Sequence, residues 1–197
     1  MHPTLRQAPF RRPLLLEAVV ATLFLLAAGL WQMWFPLGLW QALRWSYWSL
    51  PLGMVAALPP LLLIPVLESP LHWHWLRVFR DNVHTFLAPL LGGLQWSEML
   101  ALAGLAGLSE EVFFRGVLQQ KLGLLPASLV FGVLHALSLP YMIWATVTGL
   151  YLGWLLLVTQ TLWVPIVTHT VIDFMGLVYI RLVVVPRYDA FRCRDQI

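Results

Sequence analysis

Residues 106–120 read AGLSEEVFFRGVLQQ and place two adjacent glutamates and an arginine inside an otherwise apolar helix. The surrounding chain is 60% hydrophobic and only 11% charged, so this polar run stands out against its background. On insertion scales each such charge costs about 2.5–3.5 kcal/mol in hydrocarbon. A favourable role must offset that cost, and it has to involve other parts of the chain.

Eleven tryptophans and a mean hydropathy of +0.78 are not a soluble composition. From Leu122 to Ile180 the only formally charged residue is Asp173. Long uncharged stretches with aromatic flanks predict an all-α, polytopic transmembrane helical bundle. The net charge of +3 comes with no basic patch interleaved with aromatics, which argues against nucleic acid as a partner. Cys193 is the only cysteine, so no intrachain disulfide can form.

Apolar periodicity predicts about six spans, at 13–35, 49–67, 97–120, 125–139, 140–159 and 162–184. Segment 71–94 is basic and Trp-rich at first, then briefly apolar and interrupted by Pro89, and it fits an interfacial or re-entrant element. Pro140 marks a tight reversal or a broken helix between the fourth and fifth spans. Arg6, Arg11 and Arg12 precede the first apolar run, as in a signal peptide, but that run is long enough to be a retained span, with Glu17 near its cytoplasmic end. With both termini cytoplasmic, Arg6, Arg11, Arg12, Arg77, Arg80, Arg181, Arg187, Arg192 and Arg194 fall inside, and only Arg44 and Lys121 outside. That asymmetry satisfies the positive-inside rule. The whole is one membrane domain: N-terminal spans and interfacial segment (1–96), a helical core (97–184) and a basic tail (185–197). Small residues at Ala101, Ala103, Gly104, Ala106 and Gly107, and the Gly149/Gly153 pair, read as ordinary close helix packing.

The polar residues of the core recur at helical spacing. Glu111 and Arg115 lie four apart, about 40° around the helix from each other, in the favourable order for an ion pair. Glu110 is rotated about 140° from Arg115, with Phe114 as its neighbour four residues on, so the two glutamates are not equivalent. Glu110 is the one left free for proton transfer. FGVLH sets Phe131 and His135 on one face, and HTVID does the same for His169 and Asp173. Counted from the proposed outer ends, Glu110 and His135 lie roughly 16 Å deep and His169 roughly 10 Å. One shared polar site is the economical reading. By contrast His72 and His74 sit in a Trp-rich interfacial stretch, as does His84, while His2 and Cys193 lie in the tails; none is read as a site residue.

The ordered set Glu110-Glu111-x-x-x-Arg115, Phe131-x-x-x-His135 and His169-x-x-x-Asp173 resembles the CAAX-protease and bacteriocin-processing (CPBP, Abi) family of intramembrane proteases, over about residues 97–184. The resemblance implies a hydrolase of the glutamate type, acting on a membrane-associated peptide or protein tail or leader within the lipid bilayer; no cofactor is expected, because the chain has no HExxH pairing and its candidate ligands come from three separate helices. It implies that Glu110 and His135 activate water, that Glu111, Arg115 and Phe131 support the site, and that His169 and position 173 orient the substrate carbonyl or stabilise the oxyanion. Asp173 departs from the asparagine of the eukaryotic prenyl-protein proteases. An ionised carboxylate cannot donate to an oxyanion, so Asp173 is expected to fix His169 instead. The metal-bearing alternative is a zinc site of Glu110, His135 and His169. The small size and absence of an extra domain suggest a bacterial processing enzyme in the inner membrane. Competing readings are a non-catalytic immunity or scaffold protein and a small proton-coupled transporter.

Overall fold

A computed structural model describes residues 11–35, 38–67 and 73–186, and every regular element among them is helical. The main helices are α1 (Arg11–Trp34), α2 (Ser49–Leu61), α3 (His74–Leu91), α4 (Trp96–Leu122), α5 (Leu124–Leu134), α6 (Leu139–Thr159) and α7 (Trp163–Val184). Three of them, α1 from Pro13, α6 and α7, are long and apolar enough to cross a membrane. A fourth span results if α3 and α4, which meet at a 115° bend, are taken as one. Leu15, Leu23 and Leu26 on α1 and Val147 and Leu157 on α6 point outward, as lipid-facing positions do.

The expected count of about six spans is not shown: 49–67 and 125–139 hold only shorter apolar helices among the described residues. Segment 49–67 is not one continuous helix: it divides into Ser49–Ala56, Leu58–Leu61 and Ile64–Leu67, with Pro59 and Pro60 in the first turn of the middle piece. Proline lacks the N–H that an uninterrupted helix requires. Segment 125–139 holds the 11-residue α5, roughly 16 Å of helix and short of a full crossing. It ends at Leu134, and the chain turns through 135–138 before Ser138 caps α6 by accepting from the Tyr141 backbone N–H at 3.4 Å. The reversal expected at Pro140 is therefore present, with Pro140 in the first turn of α6, where its missing donor does no harm. In segment 71–94, α3 buries Phe79 and Asn82, leaves Trp75 and the preceding Trp73 exposed, and bends sharply into α4, a geometry shared by a re-entrant element and a broken span. His72 lies outside the described residues, as do His2, Arg6, Arg187, Arg192, Arg194 and Cys193.

Helix α4 is the centre of the bundle. Its start is fixed by a capping box in which the Gln95 backbone N–H donates to Glu98 Oε2 at 2.8 Å. On one side α1 packs against it, with Phe24 stacked on Phe113 (centroids 4.9 Å) and edge-on to Phe114 (5.5 Å). On another side α7 comes so close that a Cβ on Gly107 would lie 2.9 Å from the Thr170 backbone nitrogen. Of the small-residue stripe, Ala103, Ala106 and Gly107 are buried in this way, whereas Ala101 is exposed and Gly104 opens on free space. Helix α2 is tied to α7 by Thr168 Oγ1, which donates to the Gly53 carbonyl at 3.1 Å, and to α6 by Tyr151 Oη, which donates to the Ala56 carbonyl at 2.7 Å. Arg181 near the end of α7 donates to the Leu94 carbonyl and lies 5.0 Å over the Trp96 ring, closing the bend.

Candidate active site

Three apolar helices and one helix end bring the polar residues together. Helix α4 carries Glu110, Glu111 and Arg115; α5 carries Phe131; α7 carries His169 and Asp173. His135 sits just beyond α5 as its C-cap residue, with φ −102° and ψ 15°, rather than inside a continuous helix as the spacing suggested. Its four-residue relation to Phe131 nevertheless holds. The two rings stack at 4.4 Å, and the His135 Nδ1 lies 2.8 Å from the Phe131 carbonyl. A carbonyl only accepts, so Nδ1 carries the proton and the lone pair of neutral His135 is on Nε2. That Nε2 faces Glu110 Oε2 at 3.6 Å.

The inequivalence of the two glutamates is borne out in the geometry. Glu111 is completely buried; its Oε2 lies 3.2 Å from Arg115 Nε, and its Oε1 lies 2.9 Å from His169 Nδ1. Arg115, also fully buried, spreads its guanidinium 4.7 Å over the Phe131 ring, which spreads its charge over an aromatic face instead of water. Glu110 is only 6% exposed, yet its Oε2 has no hydrogen-bond partner. It meets His135 across a gap too long for a direct hydrogen bond. Oε2 is thus an acceptor left for something that enters the site.

His169 is held at both ends. Nδ1 meets Glu111 and Nε2 meets Asp173 Oδ2 at 3.4 Å, one helical turn away. A neutral imidazole can donate to only one of these carboxylates; an imidazolium donates to both. The Glu111 contact was not legible in the sequence, which paired that residue with Arg115 alone. The Asp173 contact is the orienting one expected from the HTVID spacing. Phe131 completes the enclosure, edge-on to both Phe114 (5.0 Å) and His169 (5.9 Å).

Two features of α4 and α6 explain how this cluster is accommodated. Residues Phe114–Leu118 form a π turn, a wide turn often found at functional sites, directly at Arg115. Gly149 faces the same residues: a Cβ there would meet Phe131 Cδ1 at 3.4 Å and Arg115 Nη2 at 3.5 Å. The GxxxG pair therefore packs helices, as expected, and also makes room for the buried arginine.

One acid that the sequence reading left at a membrane edge, Glu17, turns its Oε1 into the interior of the bundle. Glu17 of α1 shares a helical face with Ala21, Phe24 and Ala28, and Ala21 and Ala28 are almost fully buried. Its Oε1 is buried without a hydrogen-bond partner. The i, i+4, i+7, i+11 spacing was the available signal. His74, by contrast, is exposed on α3 and belongs to no such group, and His84 lies on α3 outside the cluster.

The donor set fits a metal poorly. Among the described residues no group of three His, Cys, Asp or Glu side chains is arranged to hold a metal ion.

Residues 92–175 match the family model described as Type II CAAX prenyl endopeptidase Rce1-like, so the resemblance read from the three motifs is shown over that stretch. This is a protease family. The matched segment begins in the bend before α4 and ends just beyond Asp173, so it contains every motif residue. The chain is also 38% identical over 79 residues to "Uncharacterized protein YpbD" of Bacillus subtilis (strain 168); the alignment covers 39% of this chain and 42% of that protein. No solved structure matches.

Proposed function

We propose that this chain is an intramembrane endopeptidase of the glutamate type that hydrolyses a peptide bond in a membrane-associated tail or leader, without a metal. The observation that carries the reading is the facing pair Glu110 Oε2 and His135 Nε2. Both are acceptor atoms on fixed side chains, and the oxygen is buried without a partner. A water that donates to both atoms is placed where a general base acts. The Rce1-like match over residues 92–175 supports the same reading.

In this mechanism the water oxygen attacks the scissile carbonyl carbon while its proton passes to the Glu110–His135 pair. The carbonyl oxygen becomes an oxyanion and accepts from His169 Nε2–H, whose 3.4 Å contact to Asp173 is long enough to be displaced. Collapse of the tetrahedral carbon breaks the C–N bond, and the same pair returns the proton to the leaving amine. Glu111, with Arg115 behind it, fixes the His169 ring from Nδ1. A cavity of about 250 Å³ lined by Phe79, Leu102, Tyr141, Ile172 and Gly176 reaches Asp173, and it accepts an apolar side chain of the substrate. The arginine asymmetry supports a reading in which both chain ends are cytoplasmic.

Cleavage in reconstituted membranes tests the reading. A panel of tail and leader peptides is incubated with wild type, Glu110→Ala, Glu111→Ala and His135→Ala, with and without a chelator. Product that disappears in folded Glu110→Ala and His135→Ala and survives the chelator is the expected result. Undiminished product from Glu110→Ala would remove the assigned base.

A further inference from the structure

His135 stands at the end of a short helix and needs a hold from outside it. The residues that follow, Ala136 and Leu137, are exposed. The main-chain hydrogen bonds of this turn are local: the His135 N–H donates to the Gly132 carbonyl at 3.1 Å, the Ala136 N–H to the Val133 carbonyl at 3.2 Å, and the Leu137 N–H to the His135 carbonyl at 2.8 Å. The Nδ1 contact with the Phe131 carbonyl also ends on α5. Such bonds fix the shape of the turn but not its place in the bundle. Helix ends with few buried contacts open readily, whereas a general base has to be held within reach of its proton.

The hold comes from α3, a helix that carries none of the three motifs. Asn82, only 8% exposed, donates from Nδ2 to Ser138 Oγ at 2.5 Å. Ser138 also caps α6 by accepting from the Tyr141 N–H, so a single oxygen joins α3, the His135 turn and the start of α6. One turn earlier on α3, Phe79 stacks on Tyr141 with centroids 5.3 Å apart. Phe79 and Tyr141 both line the cavity that reaches Asp173. The contact that walls the cavity and the contact that supports the His135 turn therefore belong to the same pair of helices. A π turn, Val83–Leu87, begins directly after Asn82, as another does at Arg115.

Resting on the protease reading, we propose that Asn82 is a positioning residue: its hydrogen bond to Ser138 holds the turn that presents His135 Nε2 to Glu110, and so ties the helix that lines the substrate cavity to the general-base pair. From Ser138 the hold passes to the adjoining Leu137, whose N–H is bonded to the His135 carbonyl. Removing the Asn82 amide leaves Ser138 Oγ with the Tyr141 N–H as its donor, so no buried acceptor is stranded. The loss then falls on the placement of His135 more than on folding. Asn82 itself is not among the residues that line the cavity, so it acts on the rate and not on substrate binding.

Turnover and local hydrogen exchange, both measured on the full chain in reconstituted membranes, test this together. With a peptide that wild type cleaves, Asn82→Leu should lower kcat about tenfold and leave KM within about twofold of wild type. Asn82→Ser is a smaller change that loses the same bond, and it serves if the leucine variant folds poorly. Combining Asn82→Ser with Ser138→Asn restores a donor, an acceptor and their combined reach, and asparagine is as good a cap as serine. That double variant should recover about half or more of the wild-type kcat, which a packing role for Asn82 would not bring back. Exchange of the 135–138 amides, read by mass spectrometry without substrate, should quicken about tenfold in Asn82→Leu while the amides around His169 stay as in wild type. Wild-type kcat in a single variant that has lost the bond, a loss carried by KM, or a double variant no better than Asn82→Ser overturns the proposal. So does unchanged exchange in the turn. Absence of product from every peptide removes the protease reading alone, and the exchange measurement then upholds or overturns the hold on the His135 turn.

Discussion

Replacing Gly132 by alanine tests whether the crossing of α5 and α6 sets the position of His135. A Cβ at residue 132 would lie 2.8 Å from the Met142 carbonyl oxygen and 3.1 Å from Thr146 Cβ, and it would also collide with Thr146 Oγ1. The hydroxyl can rotate away, but the carbonyl belongs to the first turns of α6 and cannot. Ordinary contact begins near 3.4 Å, so α5 must retreat by about 0.6 Å at this level. Overpacking of this kind costs about 1–3 kcal/mol. His135 lies three residues on and is tethered to α5 through the Phe131 carbonyl, so it moves with the helix, and its 3.6 Å separation from Glu110 widens to about 4.2 Å. Since misplacing a reacting group by about 1 Å costs about a hundredfold, Gly132→Ala should lose about tenfold in kcat. Gly104→Ala, where no atom lies within 4 Å, is the control and should change neither stability nor rate. Thermal unfolding in detergent and turnover of a peptide that wild type cleaves give the two readouts. A Gly132→Ala enzyme with wild-type midpoint and turnover would refute the claim that this crossing places the histidine.

Three further outcomes are expected. Arg115→Met leaves Glu111 buried with His169 as its only remaining partner; removing one member of a buried pair costs about 3–5 kcal/mol, which thermal unfolding and the yield of folded protein will register. Asp173→Asn keeps His169 anchored through Glu111 and should retain turnover within about tenfold, whereas Glu111→Gln disturbs Arg115 and His169 together and should lose about a hundredfold or more in kcat. Dialysis against a strong chelator, followed by the peptide assay, should leave the rate unchanged; loss that zinc restores would move the chemistry to a metal.

Much of the site was legible because membrane helices permit few uses for ionisable groups. Glu111 and Arg115 pair as their spacing demands, Glu110 stands apart from them, and His169 meets Asp173 one turn away. Spacing within a helix is local geometry, so it survives whatever the helices do in space. The contact between Glu111 and His169 depends on how closely α7 approaches α4 at Gly107, a tertiary fact with no local signature. Span lengths were less legible. Apolar composition extends through Pro59, Pro60 and the 135–138 turn, while the helices stop there for backbone reasons. The inward turn of the Glu17 carboxyl was not legible for a related cause. Depth counted from the end of a run says nothing about which face of α1 packs inward.

The tether on His135 runs through a main-chain oxygen, not a side chain. Every amino acid at position 131 supplies the same carbonyl, so the proton on Nδ1 and the free electron pair on Nε2 are inherited from the end of α5 itself. Substitutions of Phe131 can strip away the stacked ring and the cover over Arg115, yet they leave the imidazole tautomer as it was. The orientation of the base is in that sense robust to point mutation and sensitive to length. One residue inserted or deleted between 131 and 135 would redirect the ring where no side-chain replacement could.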